Sequence, residues 1–293
     1  MGLTMFLLGL LYVVLMAVVL YFFRASWFVV LIIAGGLLWA QWYYSDQVAL
    51  FGMRAREVSP GDGPQAAQLH AIVDRLCALA DMPKPRVAIA DTDLPNAFAT
   101  GRDQKHAVVC ATSGLMRRLT PEELEGVLSH ELSHVAHRDV TVMTLASFVG
   151  VLAGLLTRSM MWSGMMGGGR RRGNDNNAAV AFLVIMVVSV VVYALSFILI
   201  RVLSRYRELA ADRAGALLTG APSALASALV KITGEMGRIP TRDLRRAEAF
   251  NAFFFTPAVS PGFSLSSLFS THPTLERRLA QLEKISLQMG RGQ

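Results

Sequence analysis

Uncharged, apolar residues fill four long stretches of the chain, at about residues 3–23, 27–44, 140–157 and 178–200. A helix needs roughly 20 apolar residues to cross the hydrocarbon core of a bilayer, and each stretch is close to that length. The pattern therefore predicts four transmembrane helices. The first stretch follows no basic segment and precedes no small-residue cleavage site, which favours a retained helix over a cleaved signal peptide.

The mixed segments between these stretches show helical and alternating patterns. Thr120-Pro121-Glu122-Glu123 is a capping box with proline at the first helical position, and it predicts the start of a helix that continues past residue 134. The other predicted helices cover about 64–81, 203–219, 223–236 and 274–287, and short predicted strands cover about 85–90, 97–100 and 106–112.

These elements divide the chain into membrane parts and parts outside the membrane. Residues 1–44 hold transmembrane helices 1 and 2, and residues 140–200 hold helices 3 and 4 with a flexible connecting loop at 158–177. An even number of spans in each pair places residues 45–139 and 201–293 on the same side, where they form one domain with a small β-ribbon. We therefore predict a mainly α membrane protein that carries an α+β domain on one side of the bilayer.

Composition and charge agree with a membrane protein. Of the 293 residues, 53% are hydrophobic and 17% are charged, against about 25% charged in a typical soluble domain. The net charge of +7 comes mostly from basic residues beside the apolar stretches, where they suit lipid headgroups better than a nucleic acid. Arginines near the span ends favour a cytoplasmic domain, although Arg170, Arg171 and Arg172 lie on the opposite side.

One motif on the helix that begins at the capping box carries the candidate chemistry: His130-Glu131-Leu132-Ser133-His134. Two histidines four residues apart lie on one face of a helix and can bind a single Zn²⁺. A glutamate beside the first histidine can take a proton from water on that metal. The motif therefore favours a zinc peptidase over a solvated helix face with incidental histidines.

A catalytic zinc site needs a third protein ligand and an open position for water. His137 and Asp139 follow the motif. On a straight helix His137 lies roughly 10 Å from His130 along the axis, so the helix would have to break for either residue to join the site. Glu208 is the better candidate, because a hairpin of the third and fourth spans returns residue 208 to the level of residue 138.

Asp212 follows Glu208 by one helical turn and lies on the same face. A carboxylate there can accept the free ring N–H of a ligand histidine and fix its tautomer. Spacing alone is equally consistent with an exposed Glu and Asp at a helix start, where the helix dipole favours them.

Three segments together resemble the HtpX family of membrane zinc metallopeptidases, which are bacterial relatives of the CAAX prenyl protease. The segments are SHELSHVAHRD at 129–139, SRYRELAADRAGA at 204–216 and STHPTLERRL at 270–279. They occur in the expected order in a chain with the expected four spans. The resemblance covers essentially the whole chain and implies a zincin-type peptidase domain.

The resemblance also implies roles for individual residues. His130, His134 and Glu208 would bind one Zn²⁺ as the cofactor. Glu131 would be the catalytic base, and Asp212 would orient a ligand histidine.

Three further residues match family positions near the cleft. His272 and Arg278 would stabilise the oxyanion or control access to the site, the alternative being a helix-start histidine and a surface arginine. Asn96, within LPNAFATGR at 94–102, would bind substrate backbone beside a substrate strand that pairs along 106–112. The alternative for Asn96 is a turn residue in an ordinary β-ribbon.

The implied function is that of a zinc metalloendopeptidase of the cell membrane, with its active site on the cytoplasmic side. Its substrates would be polypeptides, chiefly misfolded or surplus membrane proteins, in quality control and the stress response. The lipid bilayer is an expected partner, a nucleic acid is not, and the flexible loop offers a site for self-cleavage. The two alternatives are a processing peptidase of the CAAX type, which has more spans, and a non-catalytic scaffold, which would not need the intact motif.

Overall fold

The protein is described here by a computed structural model, which covers residues 27–148, 150, 154, 176–238 and 272–290. The predicted first span lies outside the described residues, as do the end of the third span and nearly all of the predicted connecting loop. The chain divides into two compact units. One contains residues 1–41 and 142–203, and the other contains residues 42–141 and 204–293.

Among the described residues, two helices precede the first strand, one helix separates the first and second strands, and the remaining helices follow the last strand. The helices are α1 Trp27–Tyr43, α2 Ser45–Met53, α3 Pro64–Leu79, α4 Ser113–Arg118, α5 Pro121–Ala136, α6 Asp139–Phe148, α7 Asn176–Thr219, α8 Pro222–Arg238 and α9 Leu275–Gly290. The strands are β1 Ala55–Glu57, β2 Arg86–Ala90, β3 Ala97–Thr100 and β4 Val108–Thr112, with a 3-10 turn at Gln104–His106.

Helix α7 joins two elements that the sequence analysis separated, the fourth span and the helix at 203–219. The predicted separation is wrong. It was based on the change to a basic composition at Arg201, but the helix continues because the segment contains no proline, and no glycine before Gly215. Within the stretch Met186–Thr219 an 18-residue window has a mean hydropathy of 2.5, and only 22% of that window is buried. Such a helix has the length and exposure of a membrane-crossing segment rather than of a soluble core.

The first unit is helical throughout its described part. Ala146 of α6 and Leu203 of α7 are buried against each other, and Val142, Met143, Leu199 and Ile200 pack around them. These contacts make α6 and the middle of α7 neighbours, as the predicted hairpin of the third and fourth spans requires. Helix α1 coincides with the predicted second span.

The second unit contains a four-stranded sheet in the order β1-β2-β4-β3. β2 and β4 are parallel, whereas the two outer strands pair antiparallel with their neighbours. The expected β-ribbon is therefore a mixed sheet, to which β1 adds a short strand with no alternating pattern. The predicted pairing of a substrate strand along 106–112 is wrong, because β4 is already hydrogen-bonded to β2 on one side and to β3 on the other. The open edge next to α5 belongs to β3.

Helix α5 occupies the centre of the second unit, and eleven of its sixteen residues are buried. Its predicted capping box is confirmed: the Glu123 N–H donates to Thr120 Oγ1, and the Thr120 N–H donates to Glu123 Oε2. The Glu123 carboxylate also accepts from Ser227 Oγ at 2.6 Å and from Lys231 Nζ at 2.8 Å. One side chain therefore caps α5 and attaches its first turn to α8.

Candidate metal centre

Three side chains from two helices converge in the second unit: His130 and His134 on α5, and Glu208 on α7. The Nε2 atoms of the two histidines are 3.2 Å apart. Glu208 Oε1 lies 3.4 Å from His134 Nε2, and Glu208 Oε2 lies 3.8 Å from His130 Nε2. Ligand atoms about 2.1 Å from a tetrahedral ion are separated by about 3.4 Å, so the three side chains can share one metal ion.

A carboxylate occupies the other ring nitrogen of each histidine. His130 Nδ1 lies 2.8 Å from Asp212 Oδ1, and His134 Nδ1 lies 2.5 Å from Asp139 Oδ2. An N–H on each Nδ1 donates to its carboxylate, so the lone pair of each Nε2 is left for a metal. The donor set and its orientation therefore fit a metal ion held by two neutral imidazoles and one carboxylate.

Asp139 is a residue of the site that the sequence analysis considered only as a ligand. Helix α5 ends at Ala136, and Arg138 adopts the left-handed region with φ of 54°. This turn starts α6 at Asp139 and directs its carboxylate back to the ring of His134. His137 caps the helix end, where its Nδ1 donates to Ser133 O at 2.7 Å, and it is exposed. No glycine or proline marks this break, so the sequence pattern carried no signal for it.

The surroundings of the two histidines shift their pKa values in opposite directions. Burial lowers the pKa of His130, which favours the neutral ring. Burial alone would lower the pKa of His134 as well, but its hydrogen bonds to Asp139 and Glu208 and the negative charges of Glu208 and Glu131 raise it to about 10. The same negative charges favour any cation at His134 Nε2, a metal ion as much as a proton.

Glu131 lies beside the first histidine and faces the edge strand β3. Its Oε2 accepts a hydrogen bond of 3.1 Å from the Ala99 N–H, and its side chain is buried. Burial raises the pKa of Glu131 to about 7, with the Glu208 charge acting in the same direction and His134 opposing it. A carboxylate with this pKa can take up and release a proton near neutral pH.

Arg278 is almost fully buried, with 2% of its surface exposed. Its Nε donates to Asp212 Oδ2 at 2.7 Å and its Nη2 donates to Asp212 Oδ1 at 2.6 Å. The alternative of a surface arginine is therefore wrong. The two-point contact holds the carboxylate that in turn meets His130.

His272 and Asn96 both lie in the same unit. His272 Nδ1 is 3.0 Å from Glu208 Oε2, which places this ring beside the third candidate ligand. Asn96 is fully buried immediately before β3. Its backbone N–H donates to Thr112 Oγ1, and its carbonyl accepts from the Thr112 N–H at 2.9 Å. Asn96 thus fixes the start of the open edge strand.

Close packing between α5 and α7, which carry the candidate ligands, depends on Gly215 of α7. A Cβ at this position would lie 2.8 Å from Ser129 Oγ and 2.9 Å from the backbone N of His130. We expect Gly215→Ala to separate α5 from α7, to cost about 1–3 kcal/mol of folding free energy and to weaken metal binding. Thermal unfolding with chelator present and zinc titration measure the two effects.

The matched control for this substitution is Gly234→Ala on α8. No atom lies within 4 Å of the added Cβ, so this change should stabilise the helix by about 0.5–1 kcal/mol. Wild-type unfolding temperature and zinc affinity in the Gly215→Ala protein would contradict the packing argument.

The fold and the site together define a metallopeptidase. Two histidines one turn apart on a buried helix, a carboxylate ligand from a second helix and a buried glutamate beside the first histidine are the parts such an enzyme needs. In the described part of the chain this is the one cluster of histidine, cysteine and carboxylate groups that could hold a metal ion.

Comparison with known proteins identifies the family. Residues 64–286 match peptidase family M48. "Protease HtpX homolog 1" of Streptomyces coelicolor is 57% identical over 99% of this chain and 93% of its own length. "Protease HtpX homolog" of Moorella thermoacetica is 55% identical over 99% of this chain and 94% of its own. The chain belongs to peptidase family M48, among the HtpX proteases, and is a metalloprotease whose substrates are polypeptides.

A solved structure shares the fold. The crystal structure of S. mikatae Ste24p superposes with a TM-score of 0.56 at 17% sequence identity. The match covers 94% of this chain and 62% of the Ste24p chain, so the present chain spans less than two thirds of that protein's length. At this identity the likeness concerns the fold alone.

Proposed function

We propose that the chain is a zinc-dependent endopeptidase in which His130, His134 and Glu208 hold the metal. The observation that carries this proposal is the convergence of their ligand atoms, all within 4.8 Å of one another, in a buried site with both Nδ1 atoms engaged by carboxylates. Two imidazoles and one carboxylate form a donor set that zinc enzymes use, with a position left for water. When bound, the zinc would supply Lewis-acid activation of a water and of the scissile carbonyl.

In this proposal Glu131 is the general base and then the general acid. Its Oε2 is oriented by the Ala99 N–H at 3.1 Å, on the side of α5 that faces the open edge of β3. From that position Glu131 takes the proton of the attacking water and returns it to the leaving amine. His272, beside Glu208, is the side chain we assign to the developing oxyanion. Arg278 orients Asp212, and through it His130, rather than facing the substrate.

The substrate would bind as an extra strand along the open edge of β3. The Ala99 N–H points to Glu131 and away from β4, so this edge of the strand faces the metal helix. Asn96 fixes the start of β3 from the opposite side, through the contacts of its backbone N–H and carbonyl with Thr112 of β4. A peptide on this edge would place its carbonyl groups in line with Glu131, which fits an endopeptidase that acts on extended segments.

The substrates we propose are membrane proteins that are misfolded or surplus, in quality control and the stress response. Glu208 lies on the same unbroken helix as the apolar stretch that ends at Ile200, eight residues or about 12 Å further along the axis. This placement supports cleavage of segments that leave the bilayer. The four-span topology, with residues 45–139 and 201–293 as the peptidase domain on the cytoplasmic side, rests on the apolar pattern and the arginine distribution.

Metal removal tests the proposed activity. The purified full chain in detergent is given an unfolded soluble protein and a membrane protein substrate, with zinc or with a chelator. We expect cleavage only with zinc, faster for the membrane protein, and one zinc per chain by elemental analysis. Zinc-loaded protein that cleaves neither substrate, or cleavage that persists in chelator, would contradict the proposal.

A lipidated peptide added as a third substrate separates the alternatives. A processing peptidase of the CAAX type would cleave a lipidated peptide and spare both proteins. Shortened forms of the chain itself, formed only with zinc and mapped to residues 158–177, would demonstrate the expected self-cleavage.

A further inference from the structure

Each candidate zinc-binding histidine is the first member of a buried set of three side chains. The first set is His130, Asp212 and Arg278, in which the aspartate contacts both the histidine ring and the guanidinium. The second set, here called the His134 set, consists of His134, Asp139 and Arg207. His134 Nδ1 lies 2.5 Å from Asp139 Oδ2, and Arg207 Nη2 lies 2.7 Å from the same oxygen.

The fold builds the His134 set from three successive parts of the second unit. The histidine is on α5, the aspartate begins α6 after the left-handed turn at Arg138, and the arginine directly precedes Glu208 on α7. The Asp139 side chain is 6% exposed and that of Arg207 is 13% exposed. Helix α7 thus supplies both a ligand for the metal and the cation that holds the partner of another ligand.

The electrostatic requirement of the site explains why an arginine is needed here. The charged groups buried or half-buried around it are four carboxylates and two guanidinium groups: Glu131, Asp139, Glu208, Asp212, Arg207 and Arg278. With all four carboxylates ionised, two excess negative charges remain, which a divalent metal balances. Without Arg207 the Asp139 carboxylate would be a third uncompensated charge in a poorly solvated place, and such charges are costly.

We propose that Asp139 and Arg207 are positioning residues for the metal. Asp139 accepts the Nδ1–H of His134, which fixes the tautomer and points Nε2 at the ion, and Arg207 holds the Asp139 carboxylate in that position. This inference rests on the proposed zinc site and deepens it. In each of the two sets, the aspartate would then orient one histidine and the arginine would hold that aspartate.

Zinc affinity is the direct test. The full chain is stripped of metal in detergent and titrated with zinc against a fluorescent zinc chelator. We expect Asp139→Asn to weaken zinc binding about 10- to 100-fold, because removal of such a partner typically has this effect. Arg207→Met should weaken it as well, and Arg207→Lys, which restores a cation at the single contact to Asp139 Oδ2, should recover most of the loss.

The chain offers a matched control at the surface. Asp103 accepts from His106 Nδ1 at 2.8 Å, so Asp103→Asn changes the same kind of histidine–aspartate pair away from the metal ligands. This variant should bind zinc as wild type does. The visible absorption of the cobalt-loaded protein reports ligand geometry, and it should change in Asp139→Asn and not in Asp103→Asn.

Three results would overturn the inference. Wild-type zinc affinity in Asp139→Asn, with one zinc bound by the wild type, would overturn this inference and leave the proposed zinc site intact. A lower unfolding temperature of metal-free Asp139→Asn with an unchanged cobalt spectrum would mean a purely structural role. A wild-type protein that binds no zinc would overturn both this inference and the proposed function.

Discussion

Glu131→Gln should abolish proteolysis while the protein keeps its metal. The amide oxygen of glutamine can still accept the Ala99 N–H, so the side chain should stay in place. What is lost is the ability to take a proton from water and return it to the leaving amine. General acid–base catalysis contributes roughly 10²- to 10⁴-fold to the rate, and we expect kcat/KM to fall by a factor of about 10² or more. Cleavage of a fluorogenic peptide, with zinc content measured on the same sample, checks the result.

The control for this substitution is Glu122→Gln on the same helix. Glu122 lies in the first turn of α5 and is exposed, so its neutralisation removes the same charge without touching the site. The control should cleave at the wild-type rate. A zinc-loaded Glu131→Gln protein with more than roughly a tenth of wild-type activity would show that Glu131 is not the base.

Local patterns made the ligand helix predictable. The capping box predicted where α5 begins, and the spacing of four residues predicted that His130 and His134 share one face. Both features depend on neighbouring residues alone, so they could be predicted without knowledge of distant contacts. Glu208 and Asp212 lie one turn apart for the same reason. The prediction that they approach α5 used the hydropathy pattern, which suggested a hairpin of two apolar segments; in the described residues α6 and α7 pack together.

The missed features depend on contacts that sequence periodicity does not encode. Strand β4 lies inside the sheet because it pairs in parallel with β2 and antiparallel with β3, so the choice of open edge could not be read from one strand. The break after Ala136 uses a left-handed arginine where a glycine would have been the signal. Arg207 looked like one more basic residue after a span, and only its contact with Asp139 distinguishes it.

Arg278→Met should cause the largest loss of stability among substitutions on α9. The substitution removes the two hydrogen bonds from the guanidinium to Asp212, which is fully buried, and leaves its carboxylate without the arginine cation. Breaking a buried ion pair by removing one partner costs about 3–5 kcal/mol. Denaturant unfolding of the metal-free protein in detergent measures the change, and zinc affinity should fall too because Asp212 no longer holds His130 firmly.

Arg277→Met is the matched control, since Arg277 is the exposed neighbour on the same helix and its substitution should change stability by less than about 0.5 kcal/mol.

A double substitution distinguishes a lost ion pair from lost packing. If the cost of Arg278→Met comes from the stranded charge of Asp212, then Arg278→Met with Asp212→Asn should be more stable than Arg278→Met alone, because the uncompensated charge at residue 212 is removed. If the cost comes from the cavity left by the arginine, the second substitution should only add to it. The double variant should still bind zinc weakly, since an amide is a poorer acceptor for the His130 ring N–H than a carboxylate. Recovered stability without recovered zinc affinity would separate the two tasks of this pair, which are to neutralise a buried charge and to orient a ligand.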